Sequence, residues 1–327
     1  MPKSRSNPAL VIRALLVGVA LVAANVHAQA PAQRPIRLVV TFPPGGSTDI
    51  AARLVAQRLS ESLRIAVVVE NRPGGNSVPG TDYVAKSAPD GSTLLMATSA
   101  FGVIPSLLGT LPFNAVDDFT PVAFVATFAN VLVVNPSLRA TSVGELIELA
   151  RRSPGTLNFA SPGAGSTSRL AGELLKQSAG IDIVHVPYKG GAPALADLIG
   201  GRVQLMFANV SEVVQPIRAG QLRGLALTGK DRMAVLPGVP TVADAGYPGL
   251  EVINWQGILA PARTPVDMVR RLNAEIRRAV QSPEVVERFQ ALGITPAEGS
   301  PEDLGVHIRA EIAKWAQVIR AGGIKPD

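Results

Sequence analysis

The chain has 327 residues, 47% of them hydrophobic and 17% charged, which is enough apolar material for about two domain cores. Its formal net charge is +6, to which Lys3, Arg5 and Arg13 contribute. Because no basic run is interleaved with aromatic residues, we expect no nucleic-acid surface. The sequence has no cysteine, so we expect neither a disulfide framework nor a cysteine-linked lipid anchor.

The first thirty residues have the pattern of a secretory signal peptide. Three basic residues precede the uncharged apolar run Ala14–Ala24, and small residues at Ala28 and Ala30 end two candidate cleavage motifs. A membrane-spanning helix needs about 20 apolar residues, roughly twice this run. The sequence therefore predicts a signal peptide over residues 1–28, or to 30, and export of the remaining chain to the periplasm.

Apolar strand-like runs then alternate with helix-like runs. The predicted strands are, in chain order, Ile36–Thr41, Ile65–Val69, Thr93–Ala97, Leu157–Ala160, Ile183–Val186, Val203–Phe207 and Gly224–Thr228. The predicted helices are Ile50–Leu63, Asp82–Lys86, Leu170–Ser178 and Pro193–Ile199, followed by Val266–Val280, Pro283–Leu292 and Pro301–Ala321. This alternation is typical of an α/β fold with parallel sheets.

Two strand-to-helix turns are similar to each other. Strand Leu38–Phe42 leads into residues 43–49, Pro-Pro-Gly-Gly-Ser-Thr-Asp, and strand Leu157–Ser161 leads into residues 162–168, Pro-Gly-Ala-Gly-Ser-Thr-Ser. The repeat predicts two similar α/β lobes, each with its turn at the carboxyl edge of a sheet. Open α/β sheets bind ligands at that edge.

Such turns can hold an anion without lysine. A helix start offers backbone N–H groups that lack intrahelical partners and carries a partial positive charge, and Ser or Thr hydroxyls add donors. The alternative is that Ser47 and Ser166 only cap their helices. The candidate ligand-binding residues in the two turns are Phe42, Gly45, Gly46, Ser47, Thr48, Asp49, Gly165, Ser166, Thr167 and Ser168.

Two candidate side chains, Asp49 and Tyr188, have open alternatives, and a third candidate, Asn209, is predicted at the same edge. Asp49 either complements the positive end of its own helix or accepts a hydrogen bond from a ligand ammonium or hydroxyl group. Tyr188, at a strand end before a glycine turn, either walls the pocket or packs at the strand terminus. Asn209 follows another strand and is predicted to line the same edge.

The sequence lacks the residues that nucleotide-binding, metal-binding and nucleophilic catalytic sites need. The glycines from Gly75 to Thr81 have P-loop spacing but no lysine, and Ser168 stands where a dinucleotide fingerprint needs its third glycine. With the histidines only at 27, 185 and 307 and no cysteine, we expect no metal, no cofactor and no nucleophile–base pair. We therefore expect a binding protein rather than an enzyme.

Several ordered motifs resemble the Bug receptors, the extracytoplasmic substrate-binding proteins of tripartite tricarboxylate transporters. The motifs are residues 42–49, 70–75, 170–174, 185–191, 236–241, Trp255, 259–261 and 264–265. The resemblance implies a type II periplasmic-binding fold, with two α/β lobes joined by crossing hinge strands. It places residues 33–131 with 251–327 in lobe 1 and residues 132–250 in lobe 2.

The resemblance also implies a function. A small carboxylate, which is a di- or tricarboxylate, an amino acid or an aromatic acid, is held between the lobes and delivered to membrane subunits of a transporter by a monomeric receptor. Many relatives have histidine where this chain has Arg169, which would alter ligand preference if Arg169 points inward. The alternatives are a ligand sensor for a signalling membrane protein and a carboxylate-processing enzyme.

Overall fold

The secondary structure follows the predicted alternation, with additional elements. The computed structural model describes residues 34–163 and 165–326, so the predicted signal peptide lies outside the described residues. The strands are β1 Ile36–Val40, β2 Val67–Asn71, β3 Thr93–Thr98, β4 Phe119–Val134, β5 Asn158–Ser161, β6 Val184–Pro187, β7 Leu205–Asn209, β8 Arg223–Leu227, β9 Ile253–Pro261 and β10 Ile294–Pro296. The helices are α1 Ser47–Leu63, α2 Val78–Ala85, α3 Ser99–Leu108, α4 Val143–Arg152, α5 Thr167–Ala179, α6 Gly191–Ile199, α7 Val210–Arg218, α8 Val266–Val280, α9 Pro283–Ala291 and α10 Pro301–Gly322.

The strands run in the order β2-β1-β3-β9-β4-β7-β5-β6, with β8 and β10 also paired to β4. Strand β1 is parallel to β2 and β3, and β5 is parallel to β6 and β7. The predicted α/β class with parallel strand pairs is therefore confirmed. Helices connect consecutive strands within each parallel set, because parallel strands need a crossover connection.

Strand β4 joins the two parallel sets. Its residues 119–129 pair antiparallel with β9 and its residues 130–134 pair antiparallel with β7. The sequence pattern did not predict β4, because its residues are mostly apolar on both faces and show no alternation. The exchange of partners near Asn130 is the feature expected of a crossing strand. The lobe boundaries themselves stay a prediction.

Each parallel set has its own apolar core. Leu38 and Leu59 are fully buried between β1 and α1, and Phe159 and Leu175 are fully buried between β5 and α5. Helix α5 lies especially close to its sheet, because a Cβ on Gly172 would come within 2.3 Å of the Phe159 ring. This close packing sets the position of the first turn of α5.

The observed bounds of helix α8 agree with the predicted ones, whereas helix α1 begins earlier than predicted. Helix α8 spans Val266–Val280, as predicted. Helix α1 begins at Ser47 rather than at Ile50, so the Ser-Thr-Asp segment is already helical. In residues 34–163 and 165–326, no helix combines the length and the apolar character needed to cross a membrane.

Candidate functional site

The turn between β1 and α1 is organised by backbone geometry. Gly45 has a φ of 86°, which favours glycine, and Gly46 is the residue before the first helical position. Ser47 is therefore the first residue inside the helix, and no side chain caps this helix start. The capping role considered for Ser47 is wrong, and its hydroxyl is not used to satisfy the N–H groups of α1.

Asp49 holds this turn together. Its Oδ2 accepts hydrogen bonds from Gly45 N and Arg53 Nε, both at 2.9 Å, and its Oδ1 accepts one from Asn71 Nδ2 at 2.9 Å. Burial opposes ionisation of this carboxyl, but the hydrogen bonds from Arg53, Gly45 and Asn71 outweigh burial and lower its pKa. Asp49 thus stabilises the turn whose backbone faces the site.

The turn between β5 and α5 uses its hydroxyls differently. Ser166 caps α5 by accepting from Arg169 N at 3.3 Å, and it donates its own proton to Gly163 O at 2.7 Å. Thr167 donates its hydroxyl to Asn254 Oδ1. The Ser168 hydroxyl oxygen is buried, and no described residue forms a hydrogen bond with it. Of these three hydroxyls, only that of Ser168 has an uncommitted proton.

The crossing strand β9 contacts the first turns of both helices. Gln256 Nε2 donates to Thr48 Oγ1 at 3.3 Å, and Asn254 accepts from Thr167. Residues two apart on a strand face the same side, so these two amides project together. Asn254 Nδ2 also donates to Asn130 Oδ1 at 3.0 Å, which ties the arrangement to β4. The sequence signal was two polar side chains in an apolar strand, and sequence reasoning missed both.

A cavity of about 510 Å³ opens between these turns. Its lining includes every predicted ligand-binding residue except Asp49, Gly165 and Tyr188, as far as the described residues show. The predicted residues that line it are Phe42, Gly45, Gly46, Ser47, Thr48, Ser166, Thr167, Ser168 and Asn209. Residues of the two similar turns therefore line the same cavity. Asn209 Nδ2 lies 3.5 Å from Ser47 Oγ.

Tyr188 is not among the described residues that line this cavity. Its hydroxyl donates to Asp197 Oδ2 at 2.7 Å. Burial, together with the hydrogen bond to Asp197 and its negative charge, raises the pKa of Tyr188 to about 12. Tyr188 thus stays a neutral donor to Asp197, which agrees with the packing alternative considered for it.

Arg169 is buried in the first turn of α5 and is not part of the cavity lining within the described chain. Its charge acts on His185, whose Nε2 lies 2.7 Å from Ser161 Oγ. Burial and the positive charges of Arg169 and Lys176 lower the pKa of His185 to about 4. His185 is therefore neutral at physiological pH and belongs to the sheet behind α5.

Two charged residues in the lining were missed by sequence reasoning. Lys189 is exposed and Glu212 is partly buried. Glu212 Oε1 accepts from Asn209 Nδ2 at 3.1 Å, and burial raises the pKa of Glu212 although this hydrogen bond opposes the shift. The only signal in the sequence was an acidic residue just after Asn209. Within the described residues, no group of three His, Cys, Asp or Glu side chains could hold a metal ion.

Comparison with known proteins finds relatives that match most of the chain. A family model described as the tripartite tricarboxylate transporter family receptor matches residues 51–324. The protein BugT of Bordetella pertussis is 41% identical over 318 residues, which cover 97% of this chain and 98% of BugT.

Two solved structures from Rhodopseudomonas palustris are similar to the chain. The protein Rpa4515, solved with adipate, is 39% identical with a TM-score of 0.85, over 90% of this chain and 99% of that one. MatC, solved with bound malate, is 31% identical with a TM-score of 0.82, over 88% of this chain and 99% of that one. The chain belongs to the family of tripartite tricarboxylate transporter receptors.

Proposed function

We propose that this protein is a periplasmic solute receptor that captures a small carboxylate in the cavity between its two turns and delivers it to the membrane subunits of a transporter. The observation that carries the proposal is the meeting of the first turns of α1 and α5 at one cavity of about 510 Å³. Relatives solved with adipate and malate support the ligand class. The receptor is exported by its signal peptide and acts as a monomer.

The carboxylate is held by neutral donors. Backbone N–H groups at the starts of α1 and α5 attract negative charge because they lack intrahelical partners. The hydroxyls of Ser47 and Ser168 add side-chain donors, one from each turn. Exposed Lys189 guides anions to the opening by long-range attraction, which salt screens. Phe42 and Trp255 supply apolar walls for the carbon skeleton.

Binding rather than catalysis fits the side chains present. The lining, as far as the structure describes it, contains no histidine. The buried Ser168 hydroxyl has no base within hydrogen-bonding distance in the described residues, and an activated serine nucleophile needs such a base. The cavity thus holds donors and walls, which is what a receptor requires.

The test is incubation of the purified protein with adipate and malate, followed by native mass spectrometry and analysis of the solution. We expect one unchanged carboxylate per protein chain. Conversion of either compound into a product would show enzymatic activity and contradict the proposed receptor function. Absence of any retained carboxylate, including from protein purified directly from its own periplasm, would refute the proposed ligand class.

A further inference from the structure

An acidic side chain lies inside the proposed anion-binding cavity. Glu212, in the first turn of α7, lines the cavity together with Ser47 and Asn209. The Nδ2 atom of Asn209 lies 3.1 Å from Glu212 Oε1 and 3.5 Å from Ser47 Oγ. The carboxylate of Glu212 is therefore separated by a single amide group from the start of α1, where we place the ligand's carboxylate.

The backbone makes room for the Glu212 carboxylate. A Cβ on Gly191, the first residue of α6, would lie only 2.9 Å from Glu212 Oε2 and 3.2 Å from Oε1. The two oxygens thus occupy space that any other residue at position 191 would fill. The Glu212 carboxylate thus lies close to the backbone of Gly191 at the cavity wall.

The Glu212 carboxylate accepts a hydrogen bond from one neighbouring side chain, Asn209. An ionised carboxylate has about four acceptor sites, and the Asn209 amide donates to one of the Glu212 oxygens. Among the described residues, no lysine or arginine contributes to the pKa shift of Glu212, whose causes are burial and the hydrogen bond from Asn209. Burial raises the pKa of Glu212 because it removes water from the charged form, and the hydrogen bond from Asn209 opposes this shift without cancelling it. A ligand that brings a donor, and most of all a positive one, binds at the acceptor sites that Asn209 leaves open.

A second carboxylate on the ligand has the opposite effect. Two negative charges that share a site repel each other, and one of the two must take up a proton. Specificity can arise from such a mismatch as well as from attraction. Glu212 therefore disfavours a ligand carboxylate next to Asn209 and favours an ammonium or hydroxyl group there.

We propose that Glu212 and Asn209 form a donor-selecting subsite, so that this receptor takes carboxylates that also carry a hydrogen-bond-donating group, above all an ammonium group. This inference rests on the proposed carboxylate receptor function and narrows its ligand class. Glu212 is the selecting residue, Asn209 positions it, and Gly191 provides its space.

A structural role for Glu212 makes a different prediction. Acidic residues in the first turn of a helix stabilise it through the helix dipole, and Glu145 occupies the corresponding first turn of α4. Glu145 Oε2 accepts from Thr141 N at 2.7 Å, and this backbone hydrogen bond, followed by the one from the Thr141 hydroxyl, lowers its pKa. Glu145→Gln is thus the matched control for Glu212→Gln, at a helix start outside the cavity.

The experiment is calorimetric titration at neutral pH with two matched series: succinate, malate and aspartate, and hexanoate, adipate and 6-aminohexanoate. We expect the wild-type protein to bind the best donor-bearing compound at least about tenfold more tightly than its unsubstituted match, which corresponds to about 1.4 kcal/mol. Glu212→Gln should lose most of this preference, whereas Glu145→Gln should keep it. Gly191→Ala, which displaces the Glu212 carboxylate without removing it, should also weaken the binding of donor-bearing compounds.

Melting temperatures of the ligand-free variants separate folding from selection. Glu212→Gln should melt at the wild-type temperature or above it, because a partly buried carboxylate whose ionisation is opposed by burial is replaced by a neutral amide, while Glu145→Gln should melt lower. If Glu212→Gln retains the full preference, or if wild-type protein prefers succinate and hexanoate, the donor-selecting subsite is overturned and the receptor function stands. If no compound of either series binds the wild-type protein and protein purified from its own periplasm carries no carboxylate, the proposed function fails together with this inference.

Discussion

Replacing Ser168 with alanine should weaken ligand binding without destabilising the free protein. Ser168 is one of the residues that line the cavity, and its hydroxyl oxygen is buried and has no hydrogen-bond partner among the described residues. A buried polar group without a partner costs about 1–3 kcal/mol. Removing that hydroxyl therefore leaves the ligand-free protein as stable as before or slightly more stable.

The effect on the complex has the opposite sign. A hydrogen bond from a hydroxyl to a charged carboxylate contributes about 1.5–3 kcal/mol. Its loss in Ser168→Ala should raise the Kd by about ten- to a hundredfold. Ser166→Ala should behave differently, since Ser166 already donates to Gly163 O at 2.7 Å and accepts from Arg169 N at 3.3 Å. That variant loses an N-cap, which costs about 1 kcal/mol of stability, and its Kd should change little.

The assay combines calorimetric titration with thermal melting for the two variants and for Ser47→Ala. Ser47 does not cap its helix and contacts Asn209 at 3.5 Å, so Ser47→Ala should resemble Ser168→Ala. The ligand is whichever of adipate, malate, aspartate and 6-aminohexanoate binds the wild-type protein most tightly. If Ser166→Ala lost the ligand while Ser168→Ala bound it normally, the assignment of donors from hydrogen-bond directions would be refuted.

Three further predictions concern the turn, the packing and metal dependence. Asp49→Asn should lower the free energy of unfolding by about 1–3 kcal/mol at neutral pH. Because folding lowers the pKa of Asp49, its contribution to stability is present above the unfolded pKa near 3.8 and is lost as the pH falls through the lower folded value. The urea unfolding curves of variant and wild type should therefore converge in acid. Gly172→Ala should cost at least about 1–3 kcal/mol in the same assay, because its Cβ would lie 2.3 Å from the Phe159 ring. Dialysis against EDTA should leave the Kd unchanged, and recovery of lost binding by one added metal would contradict this.

Local pattern alone predicted much of the framework. Helix Val266–Val280 was predicted at its observed bounds, because an amphipathic stripe and a proline before it are local signals. The two glycine and Ser-Thr turns were likewise visible as a repeat, and the order of motifs indicated the family. These features depend on residues a few positions apart, so no knowledge of tertiary packing is needed to see them.

The tertiary structure decided which of these side chains are available to a ligand. Asn209 and Ser47 are 162 residues apart and meet because β7 and α1 are brought together through the crossing strand β4. The sequence could not show that the Ser166 hydroxyl donates to Gly163 O while the Ser168 hydroxyl has no partner among the described residues. The direction of these hydrogen bonds depends on the path of the turn. Nor could it place Glu212 in the cavity, because an acidic residue in a first helical turn has the same local signature whether it faces solvent or a ligand.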